Sequence, residues 1–191
     1  MFDDKISKIF DESIGVISNS KSLEISIQNV IDKIIFCFEN GNKIIIFGNG
    51  GSAADSQHFA AEFVGRFLKE RNSLPAISLT TDTSILTALG NDYSFETIFS
   101  RQCESIVKKG DIVFGISTSG NSVNMINGFN TAQNFGGFTI GLLGSDGGKL
   151  NKISDLSIII PSNSTPRIQE SQRIILHIIC EIVEEYFSSK K

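Results

Sequence analysis

A histidine and a glutamate, His58 and Glu62, lie in the stretch "ADSQHFAAEF" at a spacing that places both on one face of a helix. Imidazole nitrogens and carboxylate oxygens bind zinc, and the same groups carry protons in acid–base catalysis. Such a pair is also typical of a solvated helix surface. The chain has only two histidines, and the second, His177, shares an isoleucine-rich helical stretch with Gln169. Because polar groups in a buried helix need partners, we include both in the candidate site.

About 12 Å of helix axis would separate Gln169 from His177, near the limit for two side chains that meet one ion. Either both side chains reach fully, or a second subunit supplies one of them. The sequence leaves both arrangements open.

Two loops rich in glycine and serine each follow a predicted strand and precede a predicted helix. In the first, "GNGGSAADS" (48–56), glycines allow close backbone approach, and we expect Ser52 to cap the next helix. The second is "STSGNS" (117–122). A helix N-terminus binds anions, and hydroxyls add neutral donors. Either loop alone could be an ordinary helix cap, but two in one sheet favour a phosphate site that needs no lysine.

The first loop also fits the dinucleotide fingerprint G-x-G-x-x-A, from Gly48 to Ala53. That fingerprint expects an acidic residue at the end of the second strand to hold a ribose. Here "AISLTTDTS" ends in threonines, and Asp82 comes only after the strand. The serine-rich second loop therefore indicates a monophosphate instead.

The elements that must position these residues follow from the hydrophobic pattern. Short continuous apolar runs alternate with helical stretches, which is typical of a parallel sheet covered on both faces. We predict one α/β domain over 1–191, a three-layer αβα sandwich with a five-stranded parallel sheet over 43–161. A helical hairpin over 1–40 precedes it, with Gly41 as a left-handed C-cap, and a helix over 166–188 follows it. The last helix has a broad apolar surface, which suggests packing on both the sheet and a partner subunit. The predicted strands are 43–48, 76–79, 111–117, 138–144 and 156–161.

Composition narrows the class of protein. With 191 residues, 40% hydrophobic and 20% charged residues and a net charge of −4, the chain suits a globular protein. No block of lysines or arginines occurs before the last two residues, so we expect no nucleic-acid partner. No apolar run approaches the roughly 18 residues of a membrane span. The first residues lack a signal-peptide core, and three widely spaced cysteines suit reduced thiols, so we expect a cytoplasmic protein.

Four stretches carry a strong resemblance to one family. "GNGGSAADSQHFAAEFVGRF", "LTTDTSILTALGNDYSFETIFSRQ", "GDIVFGISTSGNSVN" and "RIQESQRIILHIICEI" together resemble the phosphoheptose isomerases of the SIS (sugar isomerase) family, over nearly the whole chain. The resemblance implies a flavodoxin-like SIS domain and the conversion of sedoheptulose 7-phosphate to D-glycero-D-manno-heptose 7-phosphate, which supplies heptose for bacterial lipopolysaccharide or capsule. It also implies a homotetramer with active sites between subunits.

The resemblance further implies roles for individual residues. Glu62 and His177 match the family's proposed acid–base pair. Our own hypothesis is that Glu62 moves the proton between the carbons and that His177 serves the oxygens. Family members usually have a histidine at the position of Gln172, a change that we expect to alter metal affinity. One zinc ion per active site would be held by His58, Glu62, Gln169 and His177. Substrate contacts would be made by Asn49, Gly50, Gly51, Ser52, Glu62, Asn91, Asp92, Ser117, Thr118, Ser119, Ser122 and Gln169.

Two other functions stay open at this stage. One is a non-catalytic SIS scaffold that resembles the DnaA initiator-associating protein, a group that lacks counterparts of Glu62 and His177. Both residues are present here, which favours an enzyme. The other is an isomerase of a different sugar phosphate, against which the N-terminal hairpin and the Gln169/His177 pair argue.

Overall fold

The computed structural model describes residues 3–189 and has a five-stranded parallel sheet at its centre. The strand order is β2-β1-β3-β4-β5, and every neighbouring pair is parallel. This is the flavodoxin-like order, in which strands are added in opposite directions from the junction of β1 and β3. The residues at either end of the predicted 1–191 domain lie outside the described residues. The strands are β1 (Ile44–Gly48), β2 (Ala76–Ser78), β3 (Ile112–Ser117), β4 (Phe138–Gly144) and β5 (Leu156–Ile160).

Continuous apolar runs in the sequence predict strands at these places. The runs are continuous because both faces of the sheet are buried. Ile44 and Ile46 of β1 pack into the core on one face of the sheet. Ile45 and Phe47 pack into the core on the other face. All four side chains are fully buried, so the α/β sandwich has a helix layer on each side.

The helices divide between these two layers. On one face, α2, α3 and α8 cover the sheet, and α1 packs against α8. On the other face lie α5, α6 and α7. Short 3₁₀ segments occur at Ser20–Leu23 and Phe95–Thr97. The α-helices are α1 (Asp3–Asn19), α2 (Glu24–Glu39), α3 (Gly51–Val64), α4 (Thr83–Asp92), α5 (Ser100–Ile106), α6 (Val123–Asn134), α7 (Gly148–Ile153) and α8 (Thr165–Ser188).

The predicted N-terminal helical region is present, and Gly41 ends it with a φ of +73°. Such a left-handed residue closes a helix at little cost only when it is glycine. Several apolar side chains of this region and of α8 remain exposed in the single chain. They include Ile6, Ile9, Phe10 and Ile14 of α1 and Ile174, Ile178 and Ile182 of α8.

The three cysteines are free and buried, as expected of small hydrophobic side chains. Burial raises the pKa of Cys37 to about 11 and that of Cys103 to about 12. Cys180 is shifted in the same direction, again chiefly by burial, and its pKa is raised further by the nearby Glu62 carboxylate. These thiols are therefore not reactive nucleophiles at neutral pH. Within residues 3–189, no helix is long and apolar enough to cross a membrane.

Candidate active site

The loop after β1 presents backbone groups at the start of α3. Gly50 has a φ of +57° and turns the chain so that α3 begins at Gly51. A Cβ on Gly48 would lie 2.7 Å from the Ile116 carbonyl oxygen, so only glycine allows β1 and β3 to approach this closely. The predicted cap at Ser52 is wrong. Gly50 occupies the N-cap position because its positive φ starts the helix earlier, and Ser52 is buried within the first turn.

The loop after β3 is the second candidate phosphate loop. The Ser117 hydroxyl accepts a hydrogen bond from the Gly120 N–H at 3.1 Å, and the Ser119 hydroxyl accepts one from the Asn121 N–H at 3.3 Å. Ser122 is the N-cap residue of α6, yet its side chain makes no cap bond to that helix. Its hydroxyl and the first N–H groups of α6 are therefore free to bind an anion.

A reciprocal amide pair joins the two loops. The Asn49 amide donates to Asn124 Oδ1 at 2.9 Å, and the Asn124 amide donates to Asn49 Oδ1 at 3.0 Å. Asn124 lies in the first turn of α6, and both loops sit at the carboxyl ends of adjacent strands. The two loops lie together at the point where strand order reverses, which is where ligands bind in such sheets. We call this candidate phosphate site the anion-binding edge.

The ionisable residues meet where α3 and α8 pack side by side. His58 Nε2 lies 3.0 Å from His177 Nε2 and 3.3 Å from Glu62 Oε1. The Phe67 ring lies beside the His177 ring, with centroids 5.4 Å apart. His58 and Glu62 are partly exposed, at 35% and 20% of their side-chain area. We call His58, Glu62 and His177 the ionisable cluster. It is accessible to a ligand and joins positions 119 residues apart in the chain.

The surroundings of His177 favour a neutral imidazole. Burial lowers its pKa from 6.5, and the neighbouring His58 and Arg173 lower it further. Glu62 and Asp55 oppose this shift but do not reverse it. At neutral pH, His177 can therefore accept a proton or bind a metal.

An ion pair between Arg173 and Asp55 lies along the same helix interface, and sequence reasoning missed it. Asp55 is 5% exposed, so this carboxylate is held by its partner rather than by water. One signal was available. Arg173 stands midway between Gln169 and His177 at helical spacing, which places all three on one stripe of α8.

Gln169 lies beside the first loop and does not join the ionisable cluster within this chain. A Cβ built on Gly51 would be 2.7 Å from Gln169 Nε2, which places the amide at the start of α3. About 12 Å of α8 separates it from His177. Gln169 lines an open cavity of about 540 Å³ together with Gly51, Ala54, Asp55, Glu170 and Arg173. The cavity therefore extends from the start of α3 to the ion pair between Arg173 and Asp55.

Asn91 and Asp92 end α4, where both are exposed and the Asn91 amide donates to the Asp92 carboxylate at 2.8 Å. The structure thus places them on a different helix surface from the α3–α8 interface. Their predicted substrate contacts remain a prediction, as does that of Thr118.

Gln172 lies beneath the second loop. It is fully buried, and its amide donates to the Leu142 carbonyl at 2.9 Å and to the Ser117 carbonyl at 3.4 Å. This position supports β4 and the start of the serine loop, on a different stripe of α8 from His177. Its predicted effect on metal affinity remains a prediction.

The donor atoms of the ionisable cluster match those that zinc takes in proteins, two imidazole nitrogens and a carboxylate oxygen. Among residues 3–189, no three His, Cys, Asp or Glu side chains are already arranged around a common metal position. Instead, the His58 nitrogen contacts both of its neighbours directly. The residue types therefore fit a zinc ion, with Gln169 still apart from the other three.

Several known proteins are similar to this chain in sequence. The family model described as "SIS domain" matches residues 10–144. The phosphoheptose isomerase of Aquifex aeolicus is 52% identical over 185 residues, which cover 95% of this chain and 96% of that protein. The phosphoheptose isomerase of Helicobacter pylori is 47% identical over the full length of both chains.

The chain belongs to the phosphoheptose isomerases of the SIS-domain family. A solved structure of the phosphoheptose isomerase GmhA from Neisseria gonorrhoeae superposes with a TM-score of 0.92 at 38% identity, covering 97% of this chain and all of that one. A phosphoheptose isomerase structure from Francisella tularensis gives the same TM-score at 34% identity. The fold and the family implied by the sequence resemblance are thereby confirmed.

Proposed function

We propose that this phosphoheptose isomerase family member converts sedoheptulose 7-phosphate to D-glycero-D-manno-heptose 7-phosphate, supplying heptose for bacterial surface glycans, lipopolysaccharide or capsule. The observation that carries the proposal is the convergence of His58, Glu62 and His177 between α3 and α8. The N-terminus of the same α3 helix lies in the first of the two candidate anion loops. The names of the relatives support the same activity. The buried free thiols support a reducing, cytoplasmic setting.

The reaction moves a carbonyl from C2 to C1 of an open-chain sugar. A base removes a proton from C1, an enediol forms, and a proton returns to C2. Glu62 is the base that shuttles this proton, because its carboxylate is partly exposed beside His58 in the last turns of α3. Burial, His58 and Arg173 lower the pKa of His177, which favours its neutral form at neutral pH. It can therefore exchange a proton with the substrate oxygens.

The phosphate binds at the N-terminal ends of α3 and α6, away from the ionisable cluster. The N-terminus of α3 and the N-terminus of α6 converge through the Asn49–Asn124 pair, so their N–H groups act on one anion. Serine hydroxyls of the second loop add donors. Binding energy from the phosphate then orients the reacting carbons at Glu62. This raises the rate only if the phosphate site and Glu62 are held at a fixed distance from each other.

His58, Glu62 and His177 would hold one zinc ion per active site, and Gln169 would complete the set. When bound, the ion supplies Lewis-acid polarisation of the substrate carbonyl. The donor types support this assignment. For Gln169 to join the cluster, either its side chain moves from Gly51 or a second subunit contributes the ligand.

We place the protein in a homotetramer with active sites between subunits. The exposed isoleucines of α8 and the exposed apolar face of α1 support this assembly, because such patches are rarely left to solvent. Ile174, Ile178 and Ile182 also line a cavity of about 480 Å³ between α2 and α8. Ile178→Glu should dissociate the tetramer, measured by light scattering. A variant that stays tetrameric would contradict the assignment of this face.

A non-catalytic scaffold is not favoured. The counterparts of Glu62 and His177 that such scaffolds lack are present here and lie in one cluster. The relatives reported above are named phosphoheptose isomerase.

The deciding experiment is an assay with sedoheptulose 7-phosphate, run as isolated, after chelation, and after chelation with zinc restored. We expect aldose product from the isolated protein, loss on chelation and recovery with zinc. Product that survives complete chelation would overturn the zinc assignment alone. No product under any condition would overturn the enzymatic function.

A further inference from the structure

The segment after α3, residues 65–74, is bound to the end of that helix by one arginine. Arg71 is 9% exposed, and its guanidinium donates to main-chain carbonyls. Nη1 donates to Phe63 O at 2.7 Å and to Gly65 O at 3.1 Å, and Nη2 donates to Glu62 O at 2.6 Å. The last carbonyls of a helix have no partner within it. Arg71 therefore caps the final turn of α3, the turn that carries Glu62.

A buried carboxylate from α8 holds the same segment from the other side. Glu184 is 2% exposed. Its two oxygens accept the main-chain N–H groups of Phe67 at 2.7 Å, Leu68 at 2.5 Å and Lys69 at 2.7 Å. Arg71 Nε lies 3.5 Å from Glu184 Oε1. One carboxylate thus fixes three consecutive residues and neutralises the arginine that caps α3.

The charge on Glu184 is sustained by these contacts. Burial by itself would raise its pKa, but the three N–H bonds and the guanidinium outweigh burial and lower the pKa from 4.5. Glu184 is therefore ionised at neutral pH, and charge-assisted bonds of this kind are stronger than neutral ones.

The contacts of Arg71 and those of Glu184 both lead to residues of the ionisable cluster. Arg71 binds the carbonyl of Glu62 itself. The Phe67 N–H is bound by Glu184, and the Phe67 ring packs on His177. Glu184 and His177 share α8, so the Glu184 contact ties the segment that follows Glu62 to the helix that carries His177. None of these groups touches the anion loops.

We propose that Glu184 and Arg71 are positioning residues for the isomerisation: they hold the end of α3 and the following segment so that Glu62 and His177 face the same substrate carbons. This inference rests on the proposed function. It goes beyond it by assigning a role to two residues outside the cavity, neither of which contacts the substrate. A purely structural role would lower stability without changing the chemistry of the folded enzyme.

The test compares Glu184→Gln with Glu185→Gln in the full-length protein. Glu185 is the next residue of α8, is exposed, and also reaches the segment, through Lys69 Nζ at 3.2 Å. We expect Glu184→Gln to lower kcat about 10-fold or more with KM changed less than about 2-fold, since a small misplacement of reacting groups costs this much in rate. Glu185→Gln should match wild type. The folded fraction of each variant is measured by circular dichroism at the assay temperature.

A second readout does not depend on turnover. The chain has only two histidines, so their imidazole resonances are readily assigned in an NMR spectrum. Glu184→Gln should shift the His177 ring signals because the Phe67 ring moves, while Glu185→Gln should not. Arg71→Lys keeps the positive charge and loses the fork to the carbonyls, so it should lower kcat in the same way. If Glu184→Gln does not fold, Arg71→Lys is compared with wild type in its place.

The outcomes separate cleanly. Normal kcat per folded molecule with unmoved His177 signals would overturn the positioning role, as would a change confined to KM. An inactive wild-type protein would instead overturn the proposed function, and the NMR comparison would still report whether Glu184 sets the geometry of the cluster.

Discussion

The anion-binding edge and the ionisable cluster are built in different ways. The edge uses main-chain groups and short hydroxyl side chains, each within a few residues of the strand that positions it. The cluster uses long side chains from α3 and α8, which come from positions 119 residues apart. Local backbone geometry therefore determines the first region, and helix packing determines the second.

The difference extends to how each region is stabilised. Main-chain N–H groups at a helix start do not titrate and lose little side-chain entropy on binding. The cluster depends on ionisation states, which burial and neighbouring charges adjust. Substitutions in the edge should thus act on binding, and substitutions in the cluster should act on the rate.

The largest expected effect is that of Glu62→Gln. It removes the base without changing side-chain size, so kcat should fall about 10²–10⁴-fold, the usual contribution of a positioned acid–base group. Binding of inorganic phosphate, measured by calorimetry, should stay as in wild type. Glu104→Gln is the matched control, because Glu104 is exposed on α5 and pairs with Arg101 of the same helix. Substantial turnover in the Glu62 variant would remove the distinction between the two regions.

An intermediate effect is expected for Gly120→Ala in the second loop. Gly120 has a φ of +63°, and a Cβ there would lie 2.0 Å from the Gly147 carbonyl oxygen. The loop must move, and strain of about 1–3 kcal/mol predicts a KM about 5- to 150-fold higher. At saturating substrate, kcat should stay within about 2-fold of wild type, since the cluster is untouched.

Gly41→Ala controls for the conformational cost. Gly41 has a similar φ of +73° but nothing within 4 Å of its Cβ position. It should lower the melting temperature without raising KM. Equal KM values in the two glycine variants would show that the second loop does not bind the phosphate.

The same contrast explains what could be predicted from sequence. The strands, both loops and the left-handed Gly41 follow from local patterns, and the structure has each of them. The cap at Ser52 was wrong because the positive φ of Gly50 starts α3 earlier than a serine cap would.

Interactions across the α3–α8 interface were harder to predict. The meeting of His58 with His177 was anticipated because the chain has only two histidines and because the family resemblance implied that both are zinc ligands. Arg71 and Glu184 gave no such signal. Their partners are mainly carbonyl and N–H groups, which every residue carries, so no residue pattern marks the contact before the helices are packed.

The smallest expected effect concerns stability in acid. It tests whether Glu184 stabilises residues 65–74, which follow Glu62, through its charge. The folded-state pKa of Glu184 is lowered from 4.5, so the unfolded chain binds a proton there more readily than the folded protein does. Its contribution to stability is therefore complete above about pH 4.5 and is lost as pH falls through the folded-state pKa. The difference in unfolding midpoint between wild type and Glu184→Gln, measured in urea, should shrink below that pH.

Glu185→Gln should show no such convergence, because its carboxylate is exposed and screened by water. If the difference stayed constant down to about pH 3, Glu184 would stabilise residues 65–74 by its shape and not by its charge. The contacts that hold the ionisable cluster in place would then be as independent of pH as the anion-binding edge is.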